Sequence, residues 1–403
     1  MWKYLRFGYF HWIWFIVAIG GLLAGGAWMW LGVAYVFVVG VGGEILSRDL
    51  VDDSTPEYGF PIIHDLILYS TAIGLVASLF VMTWCAAGSD LFGLGAFANE
   101  LIAKAGYSYD VLAARGTNVW YDYLGAGLSV GALLGVTGIA CSHELTHRTA
   151  NPFDLWVGRW VFALMFGTNF ATEHVYGHHK ELGHPEVDAV SPRRGVGFYH
   201  FLTVGQWRQW SGGFGVESKR LRALGKPSMS LLHNRVLHAY MRGALVGVLI
   251  FAGAGWLGLA CWLVVLAFAK YILEGLNFFS HYGMVRAPGE QVAIRHTFSS
   301  YNPLSNHFLF NLGRHGSHHT YDREYYYLPF ERSPTSRYGY LTMTVISWLP
   351  PVFWKVMVPT LKDWEQNWAT PEERRLAEAQ NRASGVSDLT APPGMESGSA
   401  TPA

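Results

Sequence analysis

Charged residues are scarce in this chain of 403: Asp, Glu, Lys and Arg supply 14% of it, where a soluble domain averages about 25%. That shortage excludes both a soluble globule and a solvated, disordered chain. Neither sign dominates, with 29 Lys plus Arg against 29 Asp plus Glu, so no basic excess points to nucleic acid. Cysteine is equally sparse. Cys85, Cys141 and Cys261 lie singly inside apolar stretches; no pair is spaced to clamp zinc or an iron–sulfur centre, and they read as core residues. A glycine-rich dinucleotide fingerprint and a haem-attachment string are missing too, so any electrons the chain uses come from a separate carrier.

What is abundant is apolar. Hydrophobic residues reach 51%, aromatics 15% with 17 Trp, and glycine 46, the composition of packed membrane helices with interfacial aromatic belts. Runs near the ~20 residues that cross a bilayer predict six spans, at about 9–26, 28–46, 64–87, 123–141, 239–256 and 257–281. The expected fold is all-α: six transmembrane helices with a histidine-rich cytoplasmic cap, one domain over 1–382 and a flexible tail over 383–403. The first run follows Lys3 and Arg6 as a signal peptide would, but a second apolar run begins at once, so it reads as a retained helix. Even parity places the termini on the same side as the loop 143–238. That loop carries eleven Lys and Arg, against only Lys104 and Arg115 in the loop between the third and fourth spans, which makes the termini cytoplasmic. Within it, 155–170 is apolar but short and reads as a half-buried or re-entrant helix; further on, 340–358, broken by Pro350 and Pro351, fits an interfacial segment or a buried helix equally. Gly40, Gly42, Gly43, Gly125, Gly127, Gly131 and Gly135 on the second and fourth spans fit close helix packing.

Nine of the 17 histidines fall in four tight groups at or beyond span ends: His143 and His147; His174, His178 and His179; His281; and His315, His318 and His319. Residues spaced i, i+4 share a helical face, so His143 and His147 can hold one ion between them. Adjacent histidines leave a helix about 100° apart, and each doublet can therefore serve two metals. Nine imidazoles exceed what one ion coordinates, and the absence of thiolate leaves iron, zinc, copper or nickel open. His143-Glu-Leu-Thr-His147 also contains the zinc-protease string His-Glu-x-x-His, but a single-zinc protease or a metal transporter leaves the other groups unexplained. Ligating histidines usually donate their second ring N–H to a carboxylate or carbonyl; Glu144, Glu173 and Glu274 are the candidates, with Glu186 and Asp188 read as solvated loop charges. His64 and His238 read as interface residues.

The strings His143-Glu-Leu-Thr-His-Arg148, Glu173-His-Val-Tyr-Gly-His-His179, Asn277-Phe-Phe-Ser-His-Tyr-Gly283 and Leu312-Gly-Arg-His-Gly-Ser-His-His319 resemble, in order and spacing, the integral-membrane alkane monooxygenases of the desaturase and hydroxylase class. The resemblance implies a six-helix bundle in a bacterial-type plasma membrane holding two non-haem irons on those nine histidines. It further implies dioxygen as co-substrate, a lipid-dissolved hydrocarbon as substrate, and rubredoxin or a ferredoxin-type reductase as donor, docking where Arg193, Arg194, Lys219, Arg220 and Arg222 cluster. The implied reaction is hydroxylation of a terminal methyl group; oxidation of methyl groups on aromatic rings, or acyl-lipid desaturation or hydroxylation, uses the same boxes. Alkane hydroxylases usually have Tyr and Glu where this sequence has Phe278 and Ser280, so Ser280 is expected to tune the site or shape its pocket.

Overall fold

The computed structural model describes residues 1–167 and 169–390. Helices α1 (Tyr9–Ala24), α2 (Gly26–Leu46), α3 (Ile62–Ala86) and α4 (Trp120–His147) are followed by α5 (Pro152–Leu164), α6 (residues 170–181) and α7 (Gln206–Ala223). The long run Arg235–Ser280 breaks at Gly255 into α8 (235–254) and α9 (256–280). After them come α10 (His315–Thr320), α11 (Tyr340–Ser347), α12 (Pro350–Asn367), α13 (Pro371–Ala383) and α14 (Ser387–Thr390). Among the described residues no strand forms; Ser299 and Thr335 make an isolated bridge.

Among the described residues four helical stretches are long and apolar enough to cross a bilayer: Gly26–Leu46, Ile62–Ala86, Trp120–His147 and Arg235–Ser280. The protein is therefore a multi-pass membrane protein. Helix α1 is apolar but only 16 residues long, roughly 24 Å at 1.5 Å per residue. Gly255 adopts φ 59°, ψ −150°, a conformation essentially closed to residues with a Cβ, and the chain reverses there. Gly247 then lies against the Trp262 ring and Gly258 against Ile250, so α8 and α9 pack antiparallel.

Helix α4 is the centre of the bundle, with 89% of its apolar window buried. A Cβ at Gly127 would stand 2.8 Å from Val264, and one at Gly135 2.9 Å from the Ala269 backbone, so these glycines let α4 and α9 approach as the small-residue pattern predicted. Ser129 donates to the Met29 carbonyl at 2.7 Å, tying α4 to the start of α2. Cys85, Cys141 and Cys261 are buried free thiols.

Asn151 caps α5 by accepting from Phe153 N and Asp154 N, with Pro152 at the first helical position. At 13 residues α5 is about 20 Å long, too short to cross. The 340–358 stretch packs much of its length into the protein: α11 and α12 meet at the prolines, where Leu349 and Val352 stay exposed, and Tyr340, Met343, Trp354 and Met357 are enclosed. The Glu44 carboxylate of α2 accounts for this. It accepts from Leu341 N at 3.1 Å, Thr342 N at 2.7 Å, Thr342 Oγ1 at 2.8 Å and Ser305 Oγ at 2.5 Å, satisfying the orphan donors of the α11 N-terminus. Order also extends beyond 382, because Val386 and Leu389 are buried; the rest of the expected tail, 391–403, lies outside the described residues.

Candidate metal centre

All four histidine groups converge. Past a π-helical turn at Leu134–Gly138, α4 resumes as a regular helix over Ile139–His147, placing the His143 and His147 rings 4.6 Å apart on one face. A second π-turn, His174–His178, forms the heart of α6; such turns recur at functional sites. His281 follows the last residue of α9, and α10 supplies His315, His318 and His319.

The donor nitrogens sort into two sets. His143, His147, His174, His179 and His318 offer nitrogens all within 4.8 Å of one another, and His178, His281 and His319 form a second such group. His315 joins the second, its Nε2 standing 3.1 Å from that of His281 and its ring 4.6 Å from His319. Each doublet thus splits between the sets, as the 100° divergence of adjacent residues allows. The sets adjoin: the His179 and His319 rings stack at 4.1 Å.

The nitrogens suit metal binding. His143 Nε2 lies 2.8 Å and His179 Nε2 3.1 Å from His174 Nε2, close to the ~3 Å that separates neighbouring donors on one ion with bonds of about 2.1 Å. Nε2 of His147, His178, His318 and His319 is buried without a hydrogen-bond partner, which native structures rarely tolerate. Burial, reinforced by neighbouring imidazoles, holds His174, His179, His318 and His319 well below the ordinary imidazole pKa, so they stay neutral, the form that ligates.

The carboxylates depart from expectation. Asp188, read as a solvated loop charge, is fully buried: His178 Nδ1–H donates to both of its oxygens at 3.0 Å, and Ser191 Oγ at 2.5 Å and Val190 N at 2.9 Å complete its shell. This fixes the His178 tautomer and frees Nε2. Arg208 Nη2 in turn donates to the carbonyls of Pro185, Glu186 and Asp188. Their signal in the sequence was faint: an Asp ten residues beyond His178. Glu144 accepts from Arg148 Nε at 3.0 Å and Glu274 from Gln206 and Gln209; neither meets a histidine. Glu173, pushed up to about 8 by burial, keeps Oε2 unpartnered. Glu186 is a surface charge paired with Arg193.

Ser280 is buried and turned back on its own helix, donating to the Asn277 carbonyl at 3.3 Å. Phe278 packs among Phe198, Phe201, Tyr282 and Phe353, away from the histidines. Arg194 is no docking residue. Its fully enclosed side chain donates to the Gly283 carbonyl at 2.9 Å and Asn381 Oδ1 at 2.7 Å and pairs with Glu365. His64 is buried rather than interfacial, with Nδ1 3.0 Å from the Tyr325 hydroxyl and its ring stacked on Tyr326.

The comparisons agree with this architecture. The fatty acid desaturase family profile matches residues 118–360, from the start of α4 into α12, and so includes every one of the nine histidines. The chain belongs to that family. Among curated relatives, alkane 1-monooxygenase 2 of Pseudomonas aeruginosa is 28% identical over 92% of this chain and 96% of its own length. Alkane 1-monooxygenase 1 of the same organism is 31% identical over 65% and 69%. The xylene/toluene monooxygenase hydroxylase component XylM of Pseudomonas putida is 28% identical over 91% of both chains.

Proposed function

We propose that the protein is a membrane-bound di-iron monooxygenase that hydroxylates an unactivated C–H bond, the terminal methyl of a hydrocarbon such as an n-alkane, with dioxygen and electrons from a separate carrier. The observation that carries this reading is the pair of adjoining, buried, all-imidazole sets at the ends of apolar helices. His143, His147, His174, His179 and His318 hold one iron, and His178, His281, His315 and His319 the other. When bound, the two irons supply the binding and reduction of dioxygen, of which one oxygen enters the product. The chain does the rest: it keeps the imidazoles of His174, His179, His318 and His319 neutral, orients His178 through Asp188, and excludes bulk water by burial. A hydrocarbon dissolved in lipid reaches the site along apolar helices without crossing water.

Six spans, α1 to α4 with α8 and α9, are supported by the α8–α9 reversal at Gly255, and an even count puts both termini on one side. The basic loop between α4 and α8 supports a site and termini on the cytoplasmic face of a bacterial-type plasma membrane. There rubredoxin or a ferredoxin-type protein docks against Lys219 and Arg222. Membranes supplied with carrier, reductant, labelled dioxygen, an alkane series and alkylbenzenes test the reading by mass spectrometry; label appearing in no alcohol overturns it. Oxidation of a methyl group on an aromatic ring is the second reading, favoured by the full-length similarity to the xylene/toluene hydroxylase component.

A further inference from the structure

Beside the histidines lies a cavity of about 270 Å³ between α4, α5, α7 and α9. Its inner wall is Ile139, one helical turn before His143, and Phe170, whose ring stacks on His174 with centroids 4.6 Å apart and planes at 12°. A single side chain therefore separates the cavity from the metal centre. Most of the remaining wall is apolar, with Phe162, Met165, Leu266 and Leu273. One wall is not. Lys270, Gln206 and Gln209 line it and are joined through Glu274: Lys270 Nζ stands 2.6 Å from Glu274 Oε1, Gln206 Nε2 donates to the same oxygen at 2.6 Å, and Gln209 Nε2 donates to Oε2 at 2.9 Å. At the mouth Trp210 and Phe166 are partly exposed, and Trp207 stacks on Trp210 at 4.9 Å.

A bare hydrocarbon gains nothing from such a wall, since burying a Lys–Glu pair and two carboxamides costs desolvation that an alkane cannot offset. A hydroxyl can offset it, donating one hydrogen bond and accepting two. Aromatic side chains at the mouth, apolar at one end and wet at the other, suit a molecule of the same character. We propose that this cavity is a port for a primary alcohol, the product leaving the metal centre, with its hydroxyl on the Gln206–Gln209–Lys270 wall and its chain along Leu266 and Leu273. The volume is just under the roughly 300–1,000 Å³ of drug-sized sites, so it admits a medium chain and not a diacyl lipid. This assignment rests on the hydroxylase reading, because it takes that reaction's product as the occupant.

The test is a binding experiment that needs no turnover. Full-length protein in nanodiscs is irradiated with a 1-octanol analogue bearing a mid-chain diazirine, and the labelled peptides are mapped by mass spectrometry. Label is expected on 162–170, 206–210 and 266–273, displaced by 1-octanol roughly tenfold more effectively than by octane, about the worth of one buried hydroxyl's partner. Leu266→Trp, which fills the cavity, should abolish the labelling while iron content stays unchanged; should that variant fail to fold, the milder Gln209→Leu should equalise the two competitors. Equal displacement by octane in the unmodified protein, or label confined to the outer faces of α2 and α3, overturns the assignment. Loss of hydroxylation with selective labelling intact would count against the reaction alone.

Discussion

Replacing Asp188 by asparagine removes one negative charge from a fully enclosed position and changes almost no volume. The carboxylate accepts from His178 Nδ1 on both oxygens at 3.0 Å, from Ser191 Oγ and from Val190 N. Asparagine keeps one acceptor oxygen, enough for Val190 N and one of the two His178 contacts, but sets an amino group on the side where Ser191 Oγ and His178 Nδ1 both donate, so donor faces donor there. Burial raises the Asp188 carboxyl, but the His178 imidazole, Ser191 and Val190 outweigh it and hold the group below its ordinary value, so it is the charged form that is lost. Outer-shell partners of ligating histidines are worth about 10- to 100-fold in metal affinity or activity, or about 1.4 to 2.7 kcal/mol. The loss should fall on the set containing His178, His281, His315 and His319. Iron per chain is measured after stepwise dialysis against a chelator, with far-UV circular dichroism as the check on folding. Asp188→Asn should surrender one iron at a chelator concentration that leaves the native protein with two, and turnover should fall by at least the same factor. If the variant holds both irons as tightly as the native protein and keeps full turnover, Asp188 does not support His178 and the division into two sets is wrong.

His143→Ala, His178→Ala, His281→Ala and His318→Ala should each abolish turnover while membrane insertion persists; activity retained in any one removes that residue from the centre. Glu44→Ala strips the acceptor from two buried amides, Leu341 N and Thr342 N, at about 1–3 kcal/mol each, and should lower the thermal midpoint, whereas an unchanged midpoint means α11 is capped another way. Glu373 is buried, yet His296 at 2.7 Å, Arg295 at 2.9 Å and Thr370 N hold its carboxyl below the ordinary value. A depressed folded value contributes stability that is complete above the unfolded value of about 4.3 and lost as pH falls through the folded one. Hydrogen exchange in α13 should therefore quicken on acidification, and Glu373→Gln should flatten that dependence. Arg194→Ala should destabilise the protein without a selective effect on the carrier, while Lys219→Glu should raise the KM for the carrier at unchanged stability; the reverse pattern would return Arg194 to the docking surface.

Local signals carried much of this protein. Apolar runs about the thickness of a bilayer, a loop rich in Lys and Arg, glycines on one face of α4 and nine histidines at ligand spacing all lie within short windows, and short windows suffice because helices repeat every 3.6 residues. Spacing alone grouped His143 with His147 and allowed each doublet to serve two metals. Which histidines share a set was beyond it, since His318 joins His143 and His147 across more than 170 residues of chain, and only the packing of α10 against α4 and α6 brings them together.

The acidic residues show the same limit more sharply. Glu144 and Glu274 are close to ligands in sequence, yet Arg148, Lys270 and two glutamines claim them, while Asp188, from what looked like a polar loop, turns inward to His178. Arg194, Glu44 and the residues after 382 were misread or passed over for one reason: a charge or a short apolar pair has no burial of its own. It is the neighbours supplied by distant segments, α13 for Arg194, α11 for Glu44 and the last helices for Leu389, that decide whether water or protein completes its shell.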